Sequence, residues 1–258
     1  MDGLDKFREA FRDFSDNYVV IGGSACEIVM AGTTVRPRAT HDIDMIIIVE
    51  NMTPEFGKRF WDFIREAKYR PERRRNGDLS HKYEMYRFLD GQPGYPPMIE
   101  LLSRHSDSLG EPQGITIEPM SMTEDVSSLS AIIMDDDYYH FTIANSSLTD
   151  GIRHANSIAL IVLKARAYLN LVKDKANGKH INTYDIKKHR SDVLKNIVIT
   201  PSETVFVPSE IKLCIEEFIE EINSKRDELY PALAKSLNVT PMLIGQLLDQ
   251  LNAIFVSE

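Results

Sequence analysis

Residues 18–49 read YVVIGGSACEIVMAGTTVRPRATHDIDMIIIV, and the order of elements along this stretch decides the fold class. Tyr18-Val19-Val20-Ile21 is a short apolar, β-branched run, which predicts a strand. It delivers the chain into Gly22-Gly23, where the missing β-carbons let the backbone approach a ligand closely. Ser24 is an N-cap residue type and predicts a helix from about Ala25 to Ala31, stopped by Gly32. The free amides of that helix start, with the Ser24 hydroxyl beside them, suit a phosphate group, although a purely structural turn has the same spelling. The polar loop of residues 33–41 carries Pro37, which excludes regular helix. Ile43 to Val49 then predicts a buried strand.

Asp42-Ile43-Asp44 opens that second strand. Side chains two apart on a strand point to the same face, so both carboxylates are held within a few ångströms of each other. Their repulsion is costly unless a cation lies between them. An all-oxygen donor set of this kind suits Mg2+, completed by water and substrate phosphates. The competing reading is a pair of idle acids at a strand edge. A further strand is expected over Met98 to Leu102, with Glu100 as a charge inside an apolar run, an expensive place for an unpaired acid. Two-metal transfer chemistry uses a third carboxylate that binds one metal and orients the nucleophile, which makes Glu100 the candidate. Pairing with an arginine such as Arg104 is the other reading of Glu100. His41 reads as a loop residue, since Mg2+ prefers oxygen, and no Cys/His spacing suggests zinc.

Outside this region the pattern predicts a helix at Leu4 to Phe14 and another from Thr53-Pro54 to about Lys68. Lys82 to Leu89 reads as a strand and Gly91 to Gly94 as a turn. Weaker strand signals lie at Ile115–Ile117, Ala131–Met134 and Tyr138–Ile143. Beyond Asp150 the periodicity becomes helical, over Ile152–Val172, Tyr184–Asn196, Glu210–Arg226 and Met242–Phe255. The expectation is an α/β (α+β) chain, with a mixed sheet and flanking helices in residues 1–150 and a helical domain in residues 151–258.

Composition narrows the function classes. A net charge of -9 argues against a surface built for nonspecific nucleic-acid binding. Two basic stretches interrupt that acidity, Lys58–Arg87 with ten Lys/Arg against five acids and Lys164–Lys195 with nine against three. They suit local contact with polyphosphate or RNA, or serve as solvated helix faces. With Cys26 and Cys214 alone, no disulfide framework is implied, and a cytoplasmic setting is expected. The N-terminus shows no signal-peptide core, and no apolar run is long enough to span a bilayer, so no membrane partner is expected.

The sequence of strand, Gly22-Gly23-Ser24, helix, Asp42-Ile43-Asp44 and a later acidic strand resembles the polymerase-beta-like nucleotidyltransferase superfamily. More narrowly, Gly22-Gly23-Ser24-Ala25 followed by Arg38-Ala39-Thr40-His41-Asp42-Ile43-Asp44 resembles the AbiEii/AbiGii group, the toxin half of type IV toxin–antitoxin (abortive infection) modules. Leu163-Lys164-Ala165-Arg166, Lys179-His180 and the segment from Asp185 to Val193 are similar to a later block of that group. The likeness covers residues 18–49, 97–103 and 158–196. It implies a catalytic domain in which Gly22, Gly23 and Ser24 hold the triphosphate of an NTP and Asp42 and Asp44 hold two Mg2+ ions. Glu100 would bind one metal and act as general base on an acceptor hydroxyl, and Lys164 would contact the phosphates. Asp185 and Asp192 match acidic positions with less defined roles at the nucleotide. The helical domain would close over the nucleotide and acceptor, with RNA as the acceptor and an antitoxin as partner. Glu100 departs from the aspartate that many relatives carry, by one methylene of reach.

Three rival readings compete with this one. A haloacid-dehalogenase-type phosphatase also uses Asp-x-Asp, but there the apolar strand precedes the pair, whereas here it follows Asp44. An antibiotic-type nucleotidyltransferase would keep the fold and change the acceptor to a small molecule. A catalytically silent nucleotide-binding module would have been free to lose Asp42, Asp44 and Glu100, which this chain retains.

Overall fold

The computed structural model describes residues 3–75, 84–105, 108–110, 112, 114–120, 129 and 132–258. Its chain forms two compact units. The first comprises Met1–Val29, Arg38–Val126 and Asn145–Asn156, and the second Met30–Pro37, Ser127–Ala144 and Ser157–Glu258. The chain is mixed α/β, with an eight-stranded sheet in the first unit and helices dominating the second.

Helix α1 (Leu4–Phe11) leads through a 3-10 segment into strand β1 (Tyr18–Ile21), after which α2 (Gly22–Met30) begins without a linker. Strand β2 (Ile43–Ile47) runs antiparallel to β1, and β5 (Ile99–Ser103) runs parallel to β2 on its other side. Strands β3 (Arg70–Arg75) and β4 (Glu84–Leu89) extend the sheet beyond β5, with the short β6 (Glu118–Pro119) at that edge. Strands β7 (Ser146–Thr149) and β8 (Ile152–Ala155) close the opposite edge, β8 lying parallel to β1.

One face of the sheet is aromatic. Phe7 and Phe11, one turn apart on α1, meet Phe56, Phe60 and Phe63 of α3 (Pro54–Glu66), and Tyr18 of β1 joins them. Helix α3 starts where Thr53 accepts the amide of Phe56, with Pro54 preset for the first turn. Trp61 extends the cluster toward Tyr86 and Phe88 and donates its indole N–H to the Leu109 carbonyl at 3.0 Å. Strand alternation puts Asp44, Glu100 and Arg87 on the opposite face.

The second unit packs α5 (Ser157–Ala176), α6 (Thr183–Ile199), α7 (Ser209–Ser224), α8 (Arg226–Leu237) and α9 (Pro241–Ile254), preceded by α4 (Asp136–Ala144). A small parallel pair, β9 (Val205–Val207) and β10 (Phe255–Ser257), ties the chain end to the start of α7. None of the described helices is long and apolar enough to cross a membrane.

Several elements differ from the sequence expectation. The strand signal at Tyr138–Ile143 lies in helix α4, because the Asp135 carboxylate caps the amides of Asp137 and Tyr138 and starts a helical turn. The helix expected from Ile152 begins at Ser157, since Ile152–Ala155 is drawn into the sheet beside β1. Ile115–Ile117 is irregular, and the adjacent Glu118–Pro119 forms the edge strand instead. Ser24 falls inside the first turn of α2 rather than at its cap, because the helix already starts at Gly22. Lys82, at the start of one expected strand, and Ala131, at the start of another, lie outside the described residues, while Ile132–Met134 form helical turn and not strand, the Ile133 amide bonding back to the Leu129 carbonyl.

Candidate active site

The site is built on the polar face of the first unit's sheet. Ile43 is fully buried and anchors the strand, while Asp42 and Asp44 on either side of it are half-exposed. Asp44 is flanked by Ile21 of β1 and by Glu100 of β5, each its register partner. Glu100 is in turn the partner of Arg87 on β4, and Arg87 of Glu72 on β3. Register partners share a face, so a charged row runs across four adjacent strands.

Glu100 is 7% exposed, and its charge is paired: Nε and Nη2 of Arg87 both reach its Oε1, each at 2.8 Å. The partner is the cross-strand Arg87 and not Arg104. Both of these contacts fall on Oε1. Among the described residues, the three acids whose oxygens all lie within 4.8 Å of one another are Asp135, Asp137 and Glu210 of the second unit, all exposed. Asp44 and Glu100 share a face as register partners, and Asp42 stands just before β2, two residues ahead of Asp44.

Gly22 joins this acidic row to the start of α2. Its φ is +71°, a conformation that side-chain-bearing residues rarely adopt. A β-carbon there would overlap Oδ2 of Asp44, so the carboxylate lies directly against the glycine turn. Ser24 is fully buried and donates its hydroxyl to the carbonyl of Asp42, clipping the helix start to the residue that opens β2. Gly23 faces the loop before Asp42: a β-carbon on it would stand 2.9 Å from Oγ1 of Thr40 and 3.3 Å from Nη2 of Arg38. The turn therefore brings Gly22, Gly23, Ser24, Asp42 and Asp44 into one place, and the sheet adds Glu100.

Lys164, Asp185 and Asp192 belong to the second unit. Lys164 on α5 is 1% exposed and forms a buried ion pair with Asp192 on α6 at 3.3 Å. Asp185 lies in the first turn of α6, where a negative charge is favoured, and pairs with Lys188 at 2.7 Å. Two residues of the first unit received no role from the sequence, Arg87 and Arg38. Alternation with Tyr86 and Phe88 places Arg87 on the face opposite the aromatic cluster, but only the strand register reveals its partner.

The donors fit a hard divalent cation in kind, since Asp42, Asp44 and Glu100 offer carboxylate oxygen only. The glycine turn fits a phosphate, because amides at a helix start and a bare backbone meet there.

Comparison with known proteins adds little to this. No family model matches the chain, and no curated protein does. Among solved structures it is similar to JHP933 from Helicobacter pylori, at 12% identity over 97% of this chain and 88% of that one, with a TM-score of 0.35. A second H. pylori structure, provisionally named a nucleotidyltransferase, is 12% identical over 97% of this chain and 90% of that one, with a TM-score of 0.37.

Proposed function

We propose that this chain is a divalent-metal-dependent nucleotidyltransferase, moving a nucleotidyl group from an NTP to an acceptor hydroxyl. The observation that carries the reading is the contact of the Asp44 carboxylate with the Gly22 turn. A metal-binding type of oxygen and a phosphate-binding type of backbone share one point, as attack at a metal-bound phosphate requires.

In this reading Asp42 and Asp44 would hold the metals, and the Glu100 carboxylate would bind one metal and take the acceptor proton. Two Mg2+ ions, when bound, supply charge stabilisation at the transferring phosphate. Gly22, Gly23 and the α2 amides hold the nucleotide's phosphates. The acceptor oxygen bonds to the α-phosphorus, the bond from that phosphorus to the bridging oxygen breaks, and its electron pair leaves with pyrophosphate. Arg87 holds Oε1 of Glu100 and so fixes the orientation of the carboxylate.

RNA is the proposed acceptor, with a toxin role in a type IV module and an antitoxin partner. This finer reading rests on the AbiEii-like motif. The basic stretches give it less support than their charge counts suggest. Arg59, Arg65, Arg70 and Arg73 pair with acids, as do Arg166, Lys179 and Lys188.

The test is incubation with Mg2+, each α-labelled NTP and total RNA, beside an Asp42→Ala/Asp44→Ala protein. Label on RNA with the native protein alone supports the full reading. Label moving only to small molecules removes the RNA acceptor and keeps the enzyme. Native protein that neither binds Mg-NTP nor transfers label overturns the catalytic reading.

A further inference from the structure

The glycine turn has a second wall, formed by the loop that leads into Asp42. Arg38 presents Nη2 there, 3.3 Å from where a β-carbon on Gly23 would be, and the Thr40 hydroxyl stands beside it at 2.9 Å from the same point. A β-carbon at position 23 would crowd both groups. The guanidinium is weakly anchored within the protein. Its Nη1 makes a 3.4 Å contact with the carbonyl of the adjacent Ala39, and its Nε is buried with no hydrogen-bond partner among the described residues.

Two features of this placement work against a cation, although the Asp42 and Asp44 carboxylates gathered at the same turn favour one. The first turn of α2 carries the positive end of the helix dipole, which repels a guanidinium. A buried N–H left without an acceptor adds a desolvation penalty. An anion bound at the Gly22-Gly23 turn relieves both terms, and arginine's planar fork matches phosphate oxygens. We propose that Arg38, seconded by the Thr40 hydroxyl, binds the polyphosphate tail of the nucleotide. There it stabilises the charge that collects on pyrophosphate as the bond to the α-phosphorus breaks. This deepens the nucleotidyl-transfer reading and rests on it for the role of the tail.

Inorganic tripolyphosphate tests the assignment without any turnover. Its binding to the full chain in Mg2+ is measured by calorimetry for the native protein, Arg38→Ala, Arg38→Gln and Arg38→Lys, with thermal unfolding as the check on folding. Arg38→Ala and Arg38→Gln are expected to bind about tenfold or more weakly, and Arg38→Lys to recover part of the loss. Binding by a folded Arg38→Ala or Arg38→Gln protein within about twofold of native overturns the proposal, as does native protein that fails to bind tripolyphosphate. Arg38-dependent binding without label transfer to any acceptor would leave the anion site standing and remove the transferase reading.

Discussion

Asp44 of β2 and Glu100 of β5 are register partners on adjacent parallel strands, two carboxylates side by side on one face of the sheet. Arg87 offsets the charge of Glu100, and a divalent cation shared by the two carboxylates would lower the remaining repulsion between them. Mg2+ is therefore expected to raise the unfolding temperature of the native protein, by the linkage between binding and folding. Asp44→Asn should abolish most of that rise and lower nucleotidyl transfer by about 100- to 1,000-fold. Differential scanning calorimetry with and without Mg2+ reads the first. An Asp44→Asn protein that gains as much from Mg2+ as the native one would remove Asp44 from the metal site.

Arg87 neutralises Glu100 through two contacts to one oxygen, at a position where Glu100 is 7% exposed. Arg87→Ala leaves a largely buried carboxylate without its partner, and loss of one member of such a pair costs about 3–5 kcal/mol. Urea denaturation should show that loss. Added Mg2+ should restore a larger share of stability in Arg87→Ala than in the native protein, because the metal takes over the charge. Equal responses to Mg2+ would mean that Glu100 does not ligate.

Gly22→Ala strikes the contact between turn and carboxylate. The position has a φ of +71° and a new β-carbon would overlap Oδ2 of Asp44. Backbone strain of about 1–3 kcal/mol is expected in denaturation, together with displacement of Asp44. Transfer activity should fall by far more than the folded fraction does. Activity that tracks the folded fraction would show that the close approach is structural only.

The parts of the site that were legible in the sequence are those written within a few residues of each other. The run Tyr18–Ile21, the turn Gly22-Gly23 and the Asp42–Asp44 strand follow from local pattern, because strand alternation and glycine freedom act over one or two residues. Glu100 stood out as a charge in an apolar strand. Its partner did not, since pairing Arg87 with Glu100 needs the β4–β5 register, which no local pattern specifies. Arg38 stood in a quoted motif without a role, because only the fold shows it against Gly23. The β7–β8 hairpin was legible and passed over. Asp150 and Gly151, with φ of +50° and +82°, form an Asp-Gly turn between two short strands, a strong hairpin signal that the helical periodicity beyond it obscured.

His154 provides a pH handle in the first unit. It is buried on β8, with Nδ1 at 2.9 Å from the Ala155 carbonyl and Nε2 at 2.9 Å from the Thr149 hydroxyl. Burial lowers its pKa below the ordinary 6.5, so the folded protein holds it neutral. Above pH 6.5 the imidazole is neutral in both folded and unfolded chains, and its contribution is fully present. As pH falls below that value the unfolded chain takes up the proton first, and stability declines toward the folded-state pKa. His154→Gln should flatten this part of a plot of unfolding free energy against pH. A slope unchanged by the substitution would assign the acid sensitivity to other groups.

The buried pair Lys164–Asp192 sets the last expectation. The family likeness gives Lys164 to the nucleotide's phosphates, yet the lysine is 1% exposed and 3.3 Å from the Asp192 carboxylate. Lys164→Met leaves Asp192 charged inside the second unit without its ion-pair partner and is expected to cost about 3–5 kcal/mol. Lys164→Met with Asp192→Leu should recover most of that, since an apolar pair of similar volume often replaces a buried ion pair at little cost. The double substitution then separates the two roles. If it is stable and transfers label normally, Lys164 serves the fold. If it is stable and inactive, with a raised KM for NTP, the pair serves nucleotide binding as well as the fold.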